Sequence, residues 1–420
     1  MEYRNKPIPK VVLGLGFGDE AKGMTVNFEA EQLIAAGLNP VIVRYNGAAQ
    51  AAHNVRIRDL SGNILHHTFK QFGSGSFHKD LTILNAGMLV DLEGIINEAD
   101  ALGNQIKQDI LRDIVVDLRC PVIIPMYAEV NRNLETKRGK KHHGSTGRGV
   151  GIARSCETEF KTNPNSMSNI TINDLTDETR LCDMILYWAN WCSKHYKVNV
   201  SMDIALIRDQ AEYLHDAFDF CAAHGVKFID NTDKLIVDKM NDPYSGVIFE
   251  SSQGMLLDER YGWFPYVTYG DMTPKAAVDI AGGIPIDIIG VTRTYQTRHG
   301  FGPFPSEGTF EYNELDNKTG KWQGEFRTGL LDLPTLTRIS DTIHPTQIAL
   351  SCMDVDVPGY ISGWKRKGSK IGHQRVPNKP IITSIDGNNE ILSAIKNATG
   401  VPVTIAGYGP VADNWKPVNA

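Results

Sequence analysis

Short apolar runs punctuated by glycine alternate along this chain with segments of helical period. Residues 11–15 form a compact apolar run, and from about Glu20 apolar positions recur through Phe28 and Leu33 at the spacing of one helix face. Strand, loop and helix are predicted in that order. Residues 41–45 and 81–85 repeat the strand signal, with a helix expected over 92–102. Two further strands are expected at 122–124 and 247–250, the latter entering a glycine-containing loop at 251–254. Short buried strands alternating with helices imply a parallel sheet covered on both faces. In such a sheet, ligand-binding loops follow the carboxyl ends of the strands.

Residues 176–224 read as two or three helices, with Met184, Leu186, Trp188, Leu206 and Leu214 set among charged positions. A packed helical insertion is the reading. Residues 313–324 and 365–380 are polar, with lysine and glycine, and look like excursions from the core. No internal repeat or low-complexity linker interrupts the chain. The expectation is therefore one composite domain over residues 1–420, of α/β class. It has a large, mainly parallel central sheet with covering helices, a P-loop-like nucleotide-binding architecture and a helical insertion at about 176–224.

Composition narrows the function. With 420 residues, 41% hydrophobic and 22% charged, the chain can bury a large core and is not of the disordered class. Net charge is -6, and the 43 Lys and Arg residues are dispersed, which argues against a nucleic-acid polymer as partner and leaves small anions open. The six cysteines form no CxxC pair, as expected in a reducing compartment and unlike a zinc site. The polar N-terminus lacks the apolar core of a signal peptide, and no run of about eighteen apolar residues occurs. A cytoplasmic protein without a membrane segment is expected.

The sharpest local signal is Gly16-Phe17-Gly18-Asp19-Glu20-Ala21-Lys22-Gly23, after a strand and opening a helix. Glycines let the backbone approach phosphate oxygens, and a helix N-terminus supplies amide donors and a favourable dipole. Lys22 adds a point charge. The spacing is neither Walker A nor GxGxxG, so a simple tight turn stays open. Asp19 argues for chemistry, because an acid beside a phosphate cradle is awkward unless it binds a cation or moves a proton. His53 ends the small-residue segment 46–53 after the second strand and could offset charge on a phosphoryl group, although a lone histidine is commonly structural. Three more loops, 144–149, 252–254 and 297–303, mix glycine with hydroxyl, amide or guanidinium donors suited to phosphate and base edges.

Taken in order, GFGDEAKG, YNGAAQAAHNV, STGRGVG, FESSQGMLLD, FPYVT, TRHGFGPFP, FRTGLLD and, more loosely, SCMDV and AGYGP resemble the adenylosuccinate synthetase family over nearly the whole chain. The resemblance implies a ligase. A nucleoside triphosphate phosphorylates O6 of a purine monophosphate, and the amine of L-aspartate then displaces the 6-phosphoryl group. Asp19 then resembles the base for the N1 proton and a Mg²⁺ ligand, with the carbonyl of Ala52 as a second metal contact, and His53 the contact to the transferring phosphoryl. Gly18, Glu20, Ala21, Lys22 and Gly23 resemble the triphosphate cradle, while Asp354 reads its guanine and Gly409 closes over that base. Gln50, Thr146, Gln253 and Thr268 match positions that hold the monophosphate, and Arg327 an aspartate contact. A homodimer is implied by resemblance alone.

The departures are specific. Gln50 replaces an asparagine, and Ala21 and Ala52 replace glycines. The arginine-rich aspartate loop is shortened to Arg327, Cys352 stands for a lysine, and Gly407 and Tyr408 replace a Ser-Thr pair. An arginine that reaches into the neighbouring subunit has no match near 151–161. IMP with GTP is the first reading. Phage relatives that act on dGMP with an adenine triphosphate supply the second, although they tend to replace the aspartate that Asp19 matches. A nucleotide-binding regulator without turnover is the third, and retention of both Asp19 and His53 counts against it.

Overall fold

The computed structural model describes residues 6–139, 143–312, 314 and 324–418. In chain order its strands are β1 (Lys10–Gly14), β2 (Asn39–Arg44), β3 (His53–Arg58), β4 (Ile64–Phe69), β5 (Leu81–Leu84), β6 (Ile114–Asp117), β7 (Lys227–Ile229) and β8 (Ser245–Gly254). They continue with β9 (Asp287–Arg293), β10 (Tyr295–His299), β11 (Phe326–Leu330), β12 (Gln347–Ser351), β13 (Gly359–Ile371), β14 (Gln374–Ser384), β15 (Val403–Gly407) and β16 (Trp415–Pro417). The helices are α1 (Lys22–Ala35), α2 (Leu92–Ile106), α3 (Pro125–Arg138), α4 (Val150–Thr162) and α5 (Glu178–Tyr196), then α6 (Ile204–Ala223), α7 (Thr232–Asn241), α8 (Lys275–Ala281), α9 (Leu333–Ile343) and α10 (Asn389–Thr399).

Ten strands form the central sheet in the order β16-β15-β12-β9-β1-β8-β2-β5-β6-β7. Every neighbouring pair is parallel except β15 with β16. Alternation along each strand builds two cores. Val12, Ile42, Ile248 and Ile289 face one, while Val11, Leu13, Val41, Val43 and Phe249 face the other. With both faces buried, the strands read as continuous apolar runs rather than alternating ones. The strand order reverses at β1, with β8 and β2 on one side and β9 and β12 on the other, and crevices that bind ligands open at such points.

One expectation is corrected. Residues 122–124 make only single bridges, Val90 with Val122 and Pro121 with Thr171. The run is apolar but hemmed by Pro121 and Pro125, and Pro125 opens α3 at a position where its missing N–H costs nothing. Residues 365–380, expected as an excursion from the core, form most of the antiparallel hairpin β13–β14, which stands apart from the central sheet. Its polar alternation hides an inner face in which Ile361 is fully buried and Ile371 and Val376 pack on the core. Residues 313–324 lie outside the described residues, apart from Glu314 and Gly324. Helices α5 and α6 fill 176–224 as expected, with Met184, Trp188 and Leu214 buried, whereas Leu206 faces outward.

Candidate active site

A cavity of about 940 Å³ opens at the carboxyl ends of the strands beside β1. It is lined by residues that follow β1, β2, β8, β9, β12 and β15. Asp19, Ala21, Lys22, Gly23, Gln50, Ala52, His53, Thr146, Gln253, Thr268, Asp354 and Gly409, all named from the sequence, line this one space. They come from segments up to 390 positions apart in sequence, and the sheet gathers them.

The loop after β1 is organised by its own acid. Glu20 is buried, and its Oε1 accepts from the amides of Gly16 at 3.0 Å and Gly18 at 2.7 Å, while Oε2 accepts from Lys22 Nζ at 2.8 Å. Gly18 and Glu20 thus form the wall behind the lining residues. Two glycines permit the crowding. A Cβ on Gly254 would stand 2.2 Å from the carbonyl of Gly16, and one on Gly23 would stand 2.8 Å from the Cβ of His53.

Asp19 points its carboxylate into the cavity at φ 59°. Its backbone carbonyl accepts from Arg293 Nε, and Arg293 also pairs with Glu314 and donates to Tyr295. His299 Nε2 lies 3.2 Å from Asp19 Oδ2. Burial pushes the Asp19 carboxyl up, but the hydrogen bond and charge of His299, with Arg293 and Lys22, outweigh it and hold the group at about 2. The carboxylate is ionised at neutral pH.

His53 is gripped from the sheet. Its Nδ1 meets Glu250 Oε1 and its Nε2 lies 3.1 Å from the carbonyl of Ser252. Glu250 is wholly buried on β8 and also accepts from the amide and hydroxyl of Ser74, at 2.9 and 2.5 Å. Burial pushes Glu250 up, yet Arg44, His53 and Ser74 hold it at about 2. Burial pushes the His53 ring down against the pull of Glu250. Both ring nitrogens face oxygen acceptors of the protein, Nδ1 the ionised Glu250 and Nε2 the carbonyl of Ser252, so the ring is held from both sides at the edge of the cavity.

Gln50 Nε2 donates to Thr268 Oγ1 at 3.1 Å, joining two positions expected to hold the monophosphate. Asp354 is exposed, and Cys352 beside it takes φ 62°. Arg327 does not line the cavity; its guanidinium donates to the carbonyls of Gly300 at 2.5 Å and Gly302 at 3.1 Å and pairs with Glu307. It braces the 300–303 turn after β10 from behind. Sequence reasoning missed Glu250 and Arg293, and named His299 only as part of the 297–303 segment. The acid in FESSQG was read only as the end of a strand, and nothing local to Arg293 or His299 signals that tertiary contact brings both to Asp19. Among the described residues, no group of three or more His, Cys, Asp or Glu converges as a metal cage.

The adenylosuccinate synthetase family model matches residues 11–408. The chain belongs to the adenylosuccinate synthetase family. Family members are ligases that form a C–N bond. Adenylosuccinate synthetase 1 of Photorhabdus laumondii is 30% identical over 353 residues, covering 82% of this chain and 78% of that protein. Adenylosuccinate synthetase of Finegoldia magna is 27% identical over 427 residues, covering 95% of each. Two solved structures share the fold. One is fully ligated adenylosuccinate synthetase from Plasmodium falciparum, with TM-score 0.76 at 18% identity over 98% of this chain and 100% of that one. The other is succinoaminodeoxyadenylate synthetase (PurZ) of cyanophage S-2L, bound to dGMP and to dATP as an energy donor, with TM-score 0.64 at 16% identity over 99% and 97%. Both share the α/β architecture expected from the sequence. No helix among the described residues is long and apolar enough to cross a membrane.

Proposed function

We propose that this chain joins L-aspartate to IMP with GTP as phosphate donor, giving adenylosuccinate, GDP and phosphate through a 6-phosphoryl purine nucleotide. The observation that carries the reading is the convergence of Asp19, Lys22, His53, Gln50, Gln253 and Thr268 on one cavity.

Asp19, ionised and facing the cavity, takes the N1 proton of the purine, which makes O6 the stronger nucleophile. O6 attacks the γ-phosphorus, and the bond to the leaving diphosphate breaks. His53, held by Glu250 at the edge of the cavity, contacts the phosphoryl group in flight and offsets its charge, and Lys22 adds its charge from the loop. The amine of aspartate then attacks C6 and expels phosphate. Mg²⁺ is bound mostly through water and phosphate oxygens with one or two protein oxygens. The Asp19 carboxylate and the Ala52 carbonyl fit that demand, and the ion would offset phosphate charge there.

Asp354 supports GTP as donor. It is exposed at the cavity, and a carboxylate with both oxygens available suits the two N–H groups on the edge of guanine, not the acceptor N1 of adenine. The shortened arginine loop and Cys352 favour the second reading, dGMP with ATP or dATP. A homodimer is part of the proposal, to be read by sedimentation.

The test is an assay of purified protein with Mg²⁺ and aspartate across IMP, GMP and dGMP against GTP and ATP, following the succinyl nucleotide by mass. Product with IMP and GTP supports the proposal. Product only with a guanine monophosphate replaces it with the second reading, and no aspartate-dependent phosphate release with any pair leaves a regulator. In His53→Asn, kcat is expected to fall by about a hundredfold or more with KM for nucleotide nearly unchanged.

A further inference from the structure

Hypoxanthine and guanine differ at one edge of the ring. Beside N1–H, guanine carries a 2-amino donor where hypoxanthine carries only C–H. A carboxylate with both oxygens free matches the guanine edge as a fork, one oxygen to each N–H. Asp354 is such a group, since among the described residues it makes no hydrogen bond or ion pair.

Asp19 is not. His299 Nε2 lies 3.2 Å from its Oδ2, so one of the two oxygens is already engaged from within the protein. The histidine is held in place. It ends β10 opposite Phe326 of β11, with the two rings 4.8 Å apart. The neighbouring Arg298 is buried and donates to the carbonyls of Tyr266, Phe301 and Pro303 at 2.8 to 3.0 Å, which fixes the loop that follows. Asp19 is fixed in turn by the bond from Arg293 to its carbonyl.

We propose that His299 is a specificity-determining residue: by engaging Oδ2 of Asp19 it leaves Oδ1 as the oxygen that the purine N1 shares with any bound metal ion, with no acceptor aligned for a second base donor, and so selects a purine monophosphate without a 2-amino group. This deepens the proposed function and rests on Asp19 meeting N1 of the purine. A guanine monophosphate in the same pose would bury a 2-amino group against an oxygen already taken, or displace the histidine. An unmatched polar group of this kind discriminates more strongly than a change of apolar bulk.

The experiment is calorimetric titration of the purified full chain with IMP, GMP and dGMP, which needs no turnover. Wild type is expected to bind IMP about ten- to a hundredfold more tightly than GMP or dGMP. In His299→Leu that ratio is expected to shrink to about threefold or less, through tighter guanine binding, while His299→Gln, which keeps a donor toward Asp19, retains most of it. A ratio unchanged in a folded His299→Leu overturns the assignment. So does wild type binding GMP as tightly as IMP, a result that decides the matter even when His299→Leu fails to fold. Wild type binding none of the three monophosphates would sink the acceptor-site reading itself, a different failure from loss of discrimination.

Discussion

Ala21 holds φ 71° at the mouth of α1, in the left-handed region that an alanine enters at a cost of about 1 kcal/mol or more. The resemblance places glycine there, so the strain belongs to this chain. Ala21→Gly is expected to raise stability by about 1 kcal/mol in urea denaturation, with nucleotide binding retained. Asp80 tells a second residue-scale story. It is buried, and among the described residues neither of its oxygens has a hydrogen-bond partner. Burial, with the charge of Asp113, pushes its carboxyl well above the ordinary value. A group raised in this way gives its full contribution below the unfolded pKa of 3.8, and stability is lost as pH rises through the folded value. Asp80→Asn is therefore expected to stabilise the protein by about 1–3 kcal/mol at pH 8 and by almost nothing at pH 3.5, measured as the shift in unfolding midpoint at each pH. Asp19 and His53 were legible in sequence because their loops follow strands and carry glycine. The contacts of Glu250 and His299 were not, because a carboxylate inside a strand and a histidine at a strand end look the same whether or not they meet a residue that lines a cavity.

At the scale of elements, the N-terminus of α9 ties the hairpin β13–β14 to the core. Asp332, nearly inaccessible, accepts from the amide of Thr335 at 3.2 Å, from its hydroxyl at 2.5 Å and from the indole of Trp364 at 3.0 Å. One side chain therefore caps the helix and holds a strand. Asp332→Ala is expected to cost about 2–3 kcal/mol in urea denaturation, more than a solvent-exposed cap, because a buried indole N–H also loses its acceptor. The hairpin carries Lys365, Arg366, Lys367, Lys370, Arg375 and Lys379 and no carboxylate between 359 and 384. Lys370 stands directly across from Arg375, a like-charge pair that weakens a ladder and leaves anchoring by Asp332 and the inner apolar face to hold the hairpin down. Sequence polarity marked an excursion from the core here and named no strands, because the apolar positions are few and only their common face makes them a strand signal.

On the scale of the whole molecule, binding should couple the two halves of the sheet. The cavity is walled by loops from both sides of β1, so ligands that bridge them stabilise the native state by mass action. With IMP, GTP and Mg²⁺ each at about a hundred times its dissociation constant, the unfolding temperature is expected to rise by several degrees, each ligand contributing about 2.7 kcal/mol. No shift in differential scanning fluorimetry would mean that the cavity does not take these nucleotides. The sequence by itself determined the parallel α/β class, since apolar runs separated by glycine loops and helical periods have few other ways to be buried. It also marked out loop residues that the cavity gathers, because those lie in contiguous motifs. Tertiary structure alone decided that Glu250 backs His53, that Arg293 and His299 meet Asp19, and that Arg327 braces a loop instead of lining the cavity. These pairings join positions 197, 274, 280 and 25–27 residues apart in the chain, and no local pattern records a contact that exists only once the strand order has placed β1 beside β9 and β8 beside β2.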